Sequence, residues 1–467
     1  MPLYQTLFAV VLDIGQAYTK VGFAGESSPR AIIPTSLKTE GIGEEPLIPG
    51  IAENSEINKL HLGTKLKAFL HHIYFKYLQI SPKDRRVIVC ESLLNPTIFR
   101  EIIADVLFTN FEVPSVLFAP HHLLSCFTVA ADTALVLDCS EYESSALPVI
   151  EGTPVIWAWH AAPLASNAIH RQIHTMIQAG GLIQKENGKP VKLTEDIPHN
   201  VIEDIKVKSC FVAGYERAKQ IQAHRLAQWT AAASQEGEGA ATTEKRPSPP
   251  PDMVYPMGGR KLLMIPGIVR EEAAEVLFEQ DNDRLSVATI VLDSILKCPL
   301  DSRKELAKNL IVSGGTSMLP GFLHRLLSEL RDLVAEEDRY QQLSECEFRV
   351  HKTPVHPNLV SWLGASVYAC LDTFPIKSVT KDYFTQHKKR LPDWCVLDLQ
   401  PPEQLPERPS SLLSGIKGLS RTSKIGATSM TSLKTSTRTS TSSASAALAS
   451  LRLSKSDTKL SSAETKK

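Results

Sequence analysis

Residues 7–30 read LFAVVLDIGQAYTKVGFAGESSPR. The apolar run at 8–12 stops at Asp13-Ile14-Gly15, the pattern of a buried strand entering a turn. Residues 18–23 alternate well enough to be the returning strand of a hairpin. The same event recurs downstream: 133–137 reads TALVL, Asp138 follows, and 144–150 makes a second strand closed by Glu151-Gly152. Two strand–Asp–hairpin units about 125 residues apart predict an internal duplication of one α/β unit.

Helical patterns fill the space between and after these hairpins. Leu66, Phe69, Leu70, Ile73 and Tyr77 share one helix face, predicting a helix over 65–78. Asn95-Pro96 opens a second helix running to about residue 110. Val287, Ile290, Val291 and Ile295 predict a third over 286–297, ended by Cys298-Pro299. A buried strand at 310–312 stops at Ser313-Gly314-Gly315-Thr316, and a helix follows from Pro320 to about Leu333. Strands alternating with helices through most of the chain predict an α/β protein.

The 467 residues are enough for two to four core-forming units or one large bilobed protein. Lys plus Arg and Asp plus Glu balance at 51 each, which argues against polyanion binding as the main activity. The balance is uneven: residues 410–467 hold ten Lys or Arg against Asp457 and Glu464, a net of +8, so the preceding 409 residues carry −8. Eight scattered cysteines with no CxxC pair fit a reducing compartment without a zinc module or disulfide framework. The apolar stretch at 7–12 is too short for a signal peptide and runs into Asp13. No apolar run approaches the roughly 18 residues of a membrane helix.

Two segments fall outside the α/β pattern. Residues 231–252, AAASQEGEGAATTEKRPSPPPD, are poor in apolar side chains and predict a flexible insertion. In 410–467, 26 of 58 residues are Ser or Thr and none is aromatic, so too little surface can be buried to offset chain entropy. A disordered basic tail is expected over 398–467, solubilising and open to phosphorylation.

The stretch at 12–30 resembles the first phosphate hairpin of actin and the actin-related proteins, and further blocks follow in that family's order. ESLLNPTIFREIIADVLFTNFEVPSVLFAP (91–120) is similar to its helix and strand at the equivalent place. LVLDCSEYESSALPVIEG (135–152) resembles the second phosphate hairpin, and DIKVKSCFV (204–212) the helix beside the nucleotide ribose. SILKCPLDSRKELAKNLIVSGGTSMLPGFLHRL (294–326) resembles the adenine-side loop, and SWLGAS (361–366) the C-terminal signature. The blocks are collinear over about 390 residues. The resemblance implies the bilobed fold shared by actin, chaperones and sugar kinases, with duplicated α/β domains. A first lobe is expected over 1–152, with a shortened small subdomain at about 31–68. A second is expected over 153–397, returning to the first near its C-terminus. Within the family, SPKDRRVIVCES (81–92), FEVPSVLFAPHHLL (111–124), RPSPPP (246–251), LFEQDN (277–282) and LPDWC (391–395) are most similar to the actin-related subunit at the pointed end of dynactin, the dynein cofactor.

The resemblance also implies a site for ATP or ADP with Mg. Family nucleotide positions are matched by Asp13, Gly15, Lys20, Asp138, Lys206, Gly314, Gly315, Thr316 and Met318. Their implied roles are cation-linked carboxylates at Asp13 and Asp138, phosphate neutralisation at Lys20 and adenosine packing at 314–318. Glycine suits such loops because the backbone must approach phosphate closely. The departures are equally specific. Gln16-Ala17 stands where the family has Ser-Gly, and Ser140 and Tyr142 replace small residues of the second hairpin. Val207 stands at the ribose-binding acidic position, and Asn358 and Leu319 replace the adenosine-side Lys and Tyr. The positions that orient attacking water in the family, a Gln and a His, are His121 and Ser145 here. His121 is a possible base, yet phosphoryl transfer depends on positioning and electrostatics, and both are altered. The expectation is no enzymatic activity, with vestigial nucleotide binding at most and no catalytic residue. The pairs His71-His72 and His121-His122 point too far apart on a helix to share an ion, so no metal site is expected there.

Between Arg30 and Phe69 the chain is about 18 residues shorter than actin, in the subdomain carrying the loop that each actin inserts into its neighbour. A subunit without that loop ends an open head-to-tail polymer. The barbed-side region, including 361–370 and the helix near Pro320, keeps the apolar character of a contact face. The expectation is a non-polymerising subunit capping the pointed end of the dynactin filament. Its expected partners are actin-like filament subunits and the other pointed-end subunits, and indirectly dynein and cargo adaptors. No direct nucleic acid contact and no transmembrane segment are expected, and the expected location is the cytoplasm and cytoskeleton. The alternatives are a divergent actin-like ATPase or a nuclear actin relative in a chromatin-remodelling complex, which the basic tail keeps open.

Overall fold

The computed structural model describes residues 8–39, 43–47, 59–93, 95–184, 189–193, 195–233, 246–258, 261–387 and 391–392. Two sheets dominate. The first has six strands in the order Val379–Thr380, Ser115–Pro120, Val87–Glu91, Val10–Ile14, Tyr18–Phe23, Ala31–Pro34. The second runs Thr153–Pro154, Ser144–Ile150, Ala134–Cys139, Leu310–Ser313, with His160–Ala162 added on Ser144–Ile150.

The duplication expected from the two hairpins is present down to residue register. Val10–Ile14 pairs antiparallel with Tyr18–Phe23 and parallel with Val87–Glu91, placing Asp13 beside Cys90. Ala134–Cys139 pairs antiparallel with Ser144–Ile150 and parallel with Leu310–Ser313, placing Asp138 beside Ser313. Apart from Asp13 and Asp138 near their ends, both central strands are apolar because both faces of each sheet are covered, and a strand's side chains alternate between faces. Val10, Leu12 and Ile14 enter one core with Leu66, Phe69 and Ile103, whereas Ala9 and Val11 enter another with Trp362. In the second lobe Leu135, Leu137 and Cys139 face the large core, and Ala134 and Val136 face a smaller one with Val360.

Two helices join the lobes. His121–Phe127 and Val360–Tyr368 each send residues into both smaller cores: Leu124, Trp362 and Ala365 into the first lobe's, Leu123, Phe127 and Val360 into the second's. Their backbones approach so closely that a Cβ on Gly364 would stand 1.8 Å from the Leu124 carbonyl oxygen. The C-terminal return to the first lobe is completed by Val379–Thr380 pairing antiparallel with Ser115–Pro120.

The predicted helices are present with small shifts. The first is Lys59–His72 continued by a π-turn at Ile73–Leu78, and the second is Thr97–Asp105 continued at Val106–Asn110. Val287–Lys297 starts from a Ser286–Thr289 capping box. The helix expected from Pro320 begins two residues later, at Phe322, because Gly321 at φ +89° turns the chain first. Of the insertion expected at 231–252, only the two ends are described. Its first three residues end the helix Tyr215–Ala233, and its last seven pack on the body. There Arg246 pairs with Glu272, Arg217 donates to the Ser248 carbonyl at 2.6 Å, and Gly267 donates to Asp252 at 2.8 Å. Residues 234–245 and the tail from 393 lie outside the described residues, as do residues 48–58 in the small subdomain. Among the described residues no helix is long and apolar enough to cross a membrane, and the seven described cysteines are all free.

Candidate functional site

Asp13 and Asp138 stand at equivalent strand ends, where open α/β sheets place their ligand crevices. Residues from both hairpins line one cleft there, among them Gly15, Gln16, His121, Asp138, Tyr142 and Glu143.

Asp13, 3% exposed, is fully engaged by this chain's own cations. Lys20 Nζ donates to its Oδ2 at 2.7 Å, and His121 Nε2 lies 3.1 Å from its Oδ1. Burial pushes the Asp13 carboxyl up, but the Lys20 ammonium and the His121 hydrogen bond outweigh it and hold the group well below the usual carboxylate range. Burial pulls Lys20 and His121 down, and the Asp13 carboxylate overrides it, raising both. His121 is therefore a proton-holding donor to Asp13, not the free base considered from the sequence. Asp138 accepts from the Ser313 hydroxyl at 2.6 Å. Ser145 meets His122, whose Nε2 is 3.0 Å from its Oγ and whose imidazole burial pulls down to about 4.

The glycines and the adenine-side loop have local reasons. A Cβ on Gly15 would sit 2.7 Å from the Tyr18 carbonyl oxygen, so the tight hairpin turn itself requires glycine. Gly314 adopts φ +93°, and its Cβ would lie 2.1 Å from the Cys139 carbonyl oxygen. Its role is close approach to the second hairpin's first strand. Thr316 Oγ1 donates to the Ser140 carbonyl at 2.7 Å, so the 314–318 loop is fastened to that hairpin. Gly315 faces open space and Met318 is 44% exposed. Lys206 is not drawn to Asp13. It donates to Ser166 Oγ and lies 3.8 Å from Glu203 Oε1.

As they stand, the cation-side positions are engaged by contacts within the chain. The strand-end crevice holds a cavity of about 130 Å³ whose lining does not include Lys20, Lys206 or residues 314–318. Each oxygen of Asp13 takes one contact, from Lys20 and from His121, and Tyr142, Glu141 and Glu143 add a ring and two carboxylates to the wall.

Three features were not visible in the residue pattern. His122 and Ser145 are brought together by the helix and strand that carry them. Glu141, His170 and His199 converge beside the second hairpin. Arg325, 1% exposed, pairs through both terminal nitrogens with Glu275, 0% exposed, at 3.0 Å each. Arg325 also donates to the Ala213 carbonyl and Glu329, so it anchors the helix Phe322–Glu336 that follows the 314–318 loop. A charged residue at an apolar helix position was the available signal for Arg325.

Comparison with known proteins agrees with this architecture. The actin family's sequence profile matches residues 5–393. "Actin-related protein 10" of Dictyostelium discoideum is 26% identical over 451 residues, covering 83% of this chain and 89% of that protein. "Putative actin-29" of the same organism is 24% identical over 408 residues, covering 82% and 95% respectively. With duplicated hairpins, paired strand-end aspartates and a profile match over most of its length, the chain belongs to the actin family.

Proposed function

We propose that this chain is a non-polymerising structural subunit that caps the pointed end of the dynactin actin-like filament. In that position it docks the other pointed-end subunits and supports dynein-driven transport along microtubules. The observation that carries the reading is the engaged Asp13. A filament-forming ATPase needs this carboxylate for its hydrated cation, and here Lys20 and His121 hold both its oxygens. Asp13 is held by this chain's own cations where a hydrated metal would draw on it, so a role that needs the actin surface and not the actin reaction fits better. The likeness to a protein named as actin-related rather than actin supports this direction.

The small subdomain supports the terminal position. Its two-stranded ladder, Ser36–Thr39 with Gly43–Pro46, is followed by only the twelve residues 47–58 before the helix Lys59–His72 begins. That leaves little chain for a loop reaching into a next subunit, so a head-to-tail polymer ends here. Of the adenosine and cation positions, Asp13, Gly15, Lys20, Asp138, Lys206, Gly314 and Thr316 act in this reading as structural fasteners, with no resident ATP or ADP required, while Gly315 and Met318 stay at the surface of their loop. The working location is the cytoplasm, on the cytoskeleton.

The test is affinity purification of the chain tagged at endogenous level, followed by size exclusion and mass spectrometry. Co-elution in a megadalton particle with actin-like filament subunits and the other pointed-end subunits is expected. A free monomer, or recovery with chromatin remodellers, overturns the assignment. Acid release of stoichiometric nucleotide from the purified chain, with steady turnover, would overturn the non-enzymatic part on its own.

A further inference from the structure

Beside the cleft, three elements of the second lobe converge on one point. Glu141 lies in the turn between the strands Ala134–Cys139 and Ser144–Ile150, His170 in the helix Ser166–Gly180, and His199 opens the helix His199–Ser209. One ligand atom from each lies within 4.8 Å of the other two. The turn is already docked to the first helix, since Asn167 N–H donates to the Glu141 carbonyl at 2.8 Å. His170, one helical turn further on, is thereby held opposite the Glu141 side chain.

His170 is 2% exposed, and its Nδ1 has no hydrogen-bond partner among the described residues. A buried polar atom left unsatisfied is costly and calls for a reason. That nitrogen faces Glu141 Oε1 at 3.6 Å. Two ligand atoms each about 2.0–2.1 Å from a tetrahedral ion stand about 3.3–3.4 Å apart, so the observed spacing needs only a small inward shift. The opposite nitrogen, Nε2, lies 3.5 Å from Ser166 Oγ and 3.7 Å from Glu203 Oε2. A metal-bound histidine commonly directs its other N–H to such an acceptor, which leaves Nδ1 bare for the metal. The His199 ring stands edge-on to His170 with centroids 4.7 Å apart, and its side chain is exposed at the helix start.

We infer that Glu141, His170 and His199 form a three-ligand site for a divalent transition metal of the zinc class, with the remaining position open to water. Two imidazoles and one carboxylate are a ligand set zinc takes, whereas calcium and magnesium favour all-oxygen shells. Charge agrees: the carboxylates of Glu141 and Glu203 flank His170 at 3.6 and 3.7 Å, with Lys206 3.8 Å from Glu203. The ion ties the second hairpin's turn to two helices, fixing Tyr142 and Glu143 in the cleft wall without nucleotide. This inference does not depend on the capping role.

The test uses the purified full-length chain, stripped with chelator and titrated with Zn²⁺ alone by calorimetry. Co²⁺ serves as the optical probe, because four-coordinate cobalt absorbs strongly in the visible. One ion per chain is expected. His199→Ala and Glu141→Gln should each weaken binding at least about 100-fold, beyond the loss typical of an outer-shell partner. His199 is exposed, so His199→Ala retains the fold, which circular dichroism verifies. His71→Ala, in an exposed histidine pair elsewhere, should leave affinity unchanged. The inference fails if the wild type binds no Zn²⁺, if both site variants bind as tightly as wild type, or if His71→Ala weakens binding equally.

Discussion

Replacing Arg325 by Met keeps side-chain length and apolar contact with Phe278, over whose ring the guanidinium carbon sits at 4.9 Å. It removes the charge and every donor. Glu275, 0% exposed, then loses two hydrogen bonds of 3.0 Å and retains only the 3.3 Å contact from Gln222. Glu329 loses its 2.6 Å bond and the Ala213 carbonyl its 3.1 Å bond. Removing one partner of a buried pair costs roughly 3–5 kcal/mol, because the other charge stays behind without compensation. With a urea slope of about 3 kcal/mol/M, a loss of ~4 kcal/mol lowers the midpoint by about 1.3 M. The cost belongs to the stranded carboxylate and not to the lost arginine, so Arg325→Met with Glu275→Gln should recover about half of it. Unfolding curves for the wild type, both single variants and the double variant make the cycle. An Arg325→Met cost below about 1 kcal/mol, or a double variant as costly as the sum of the singles, refutes the reasoning.

Gly314→Ala must place a methyl 2.1 Å from the Cys139 carbonyl at φ +93°, and a loss of roughly 2–4 kcal/mol is expected by thermal or urea unfolding. At the lobe junction, Gly364→Ala collides with the Leu124 carbonyl. It should cost about 1–3 kcal/mol and speed hydrogen exchange in His121–Phe127 and Val360–Tyr368. The pH prediction follows from His122, whose folded value of about 4 lies below its ordinary 6.5 because of burial. Its contribution is complete above pH 6.5 and is lost as pH falls towards 4, by roughly 3 kcal/mol. His121 runs the other way: its pKa is raised, so its contribution is full below 6.5 and lost as pH rises through the raised value. The stability difference between wild type and His122→Gln should therefore shrink between pH 7 and 4. A difference independent of pH sinks the assignment.

Both lobes were legible because their signals are local. An apolar run stopped by Asp, a tight turn and a returning strand lie within some twenty residues, as at 7–30 and 133–152, and burial on both sheet faces needs nothing more distant than side-chain alternation. Helix faces were legible for the same reason, and so was the family, through blocks in a fixed order. What happens at the strand ends was not. Asp13 meets His121 across 108 positions, Ser313 meets Asp138 across 175, and Thr316 meets Ser140 across 176. No periodicity reports such pairings, because they are made when separate elements pack. That Gly314 also lies against the Cys139 carbonyl was not legible, because that strand is 175 positions away in the chain. Glu141, His170 and His199 come from three elements with no shared motif, and Arg325 finds Glu275 only through the packing of two helical segments. The sequence by itself determined two duplicated α/β lobes and the positions of their hairpins, since hydrophobic patterning and turn chemistry act over short range. Only the tertiary structure decided which charges neutralise one another in the cleft, since a carboxylate's partner is whatever cation folding brings within about 3 Å.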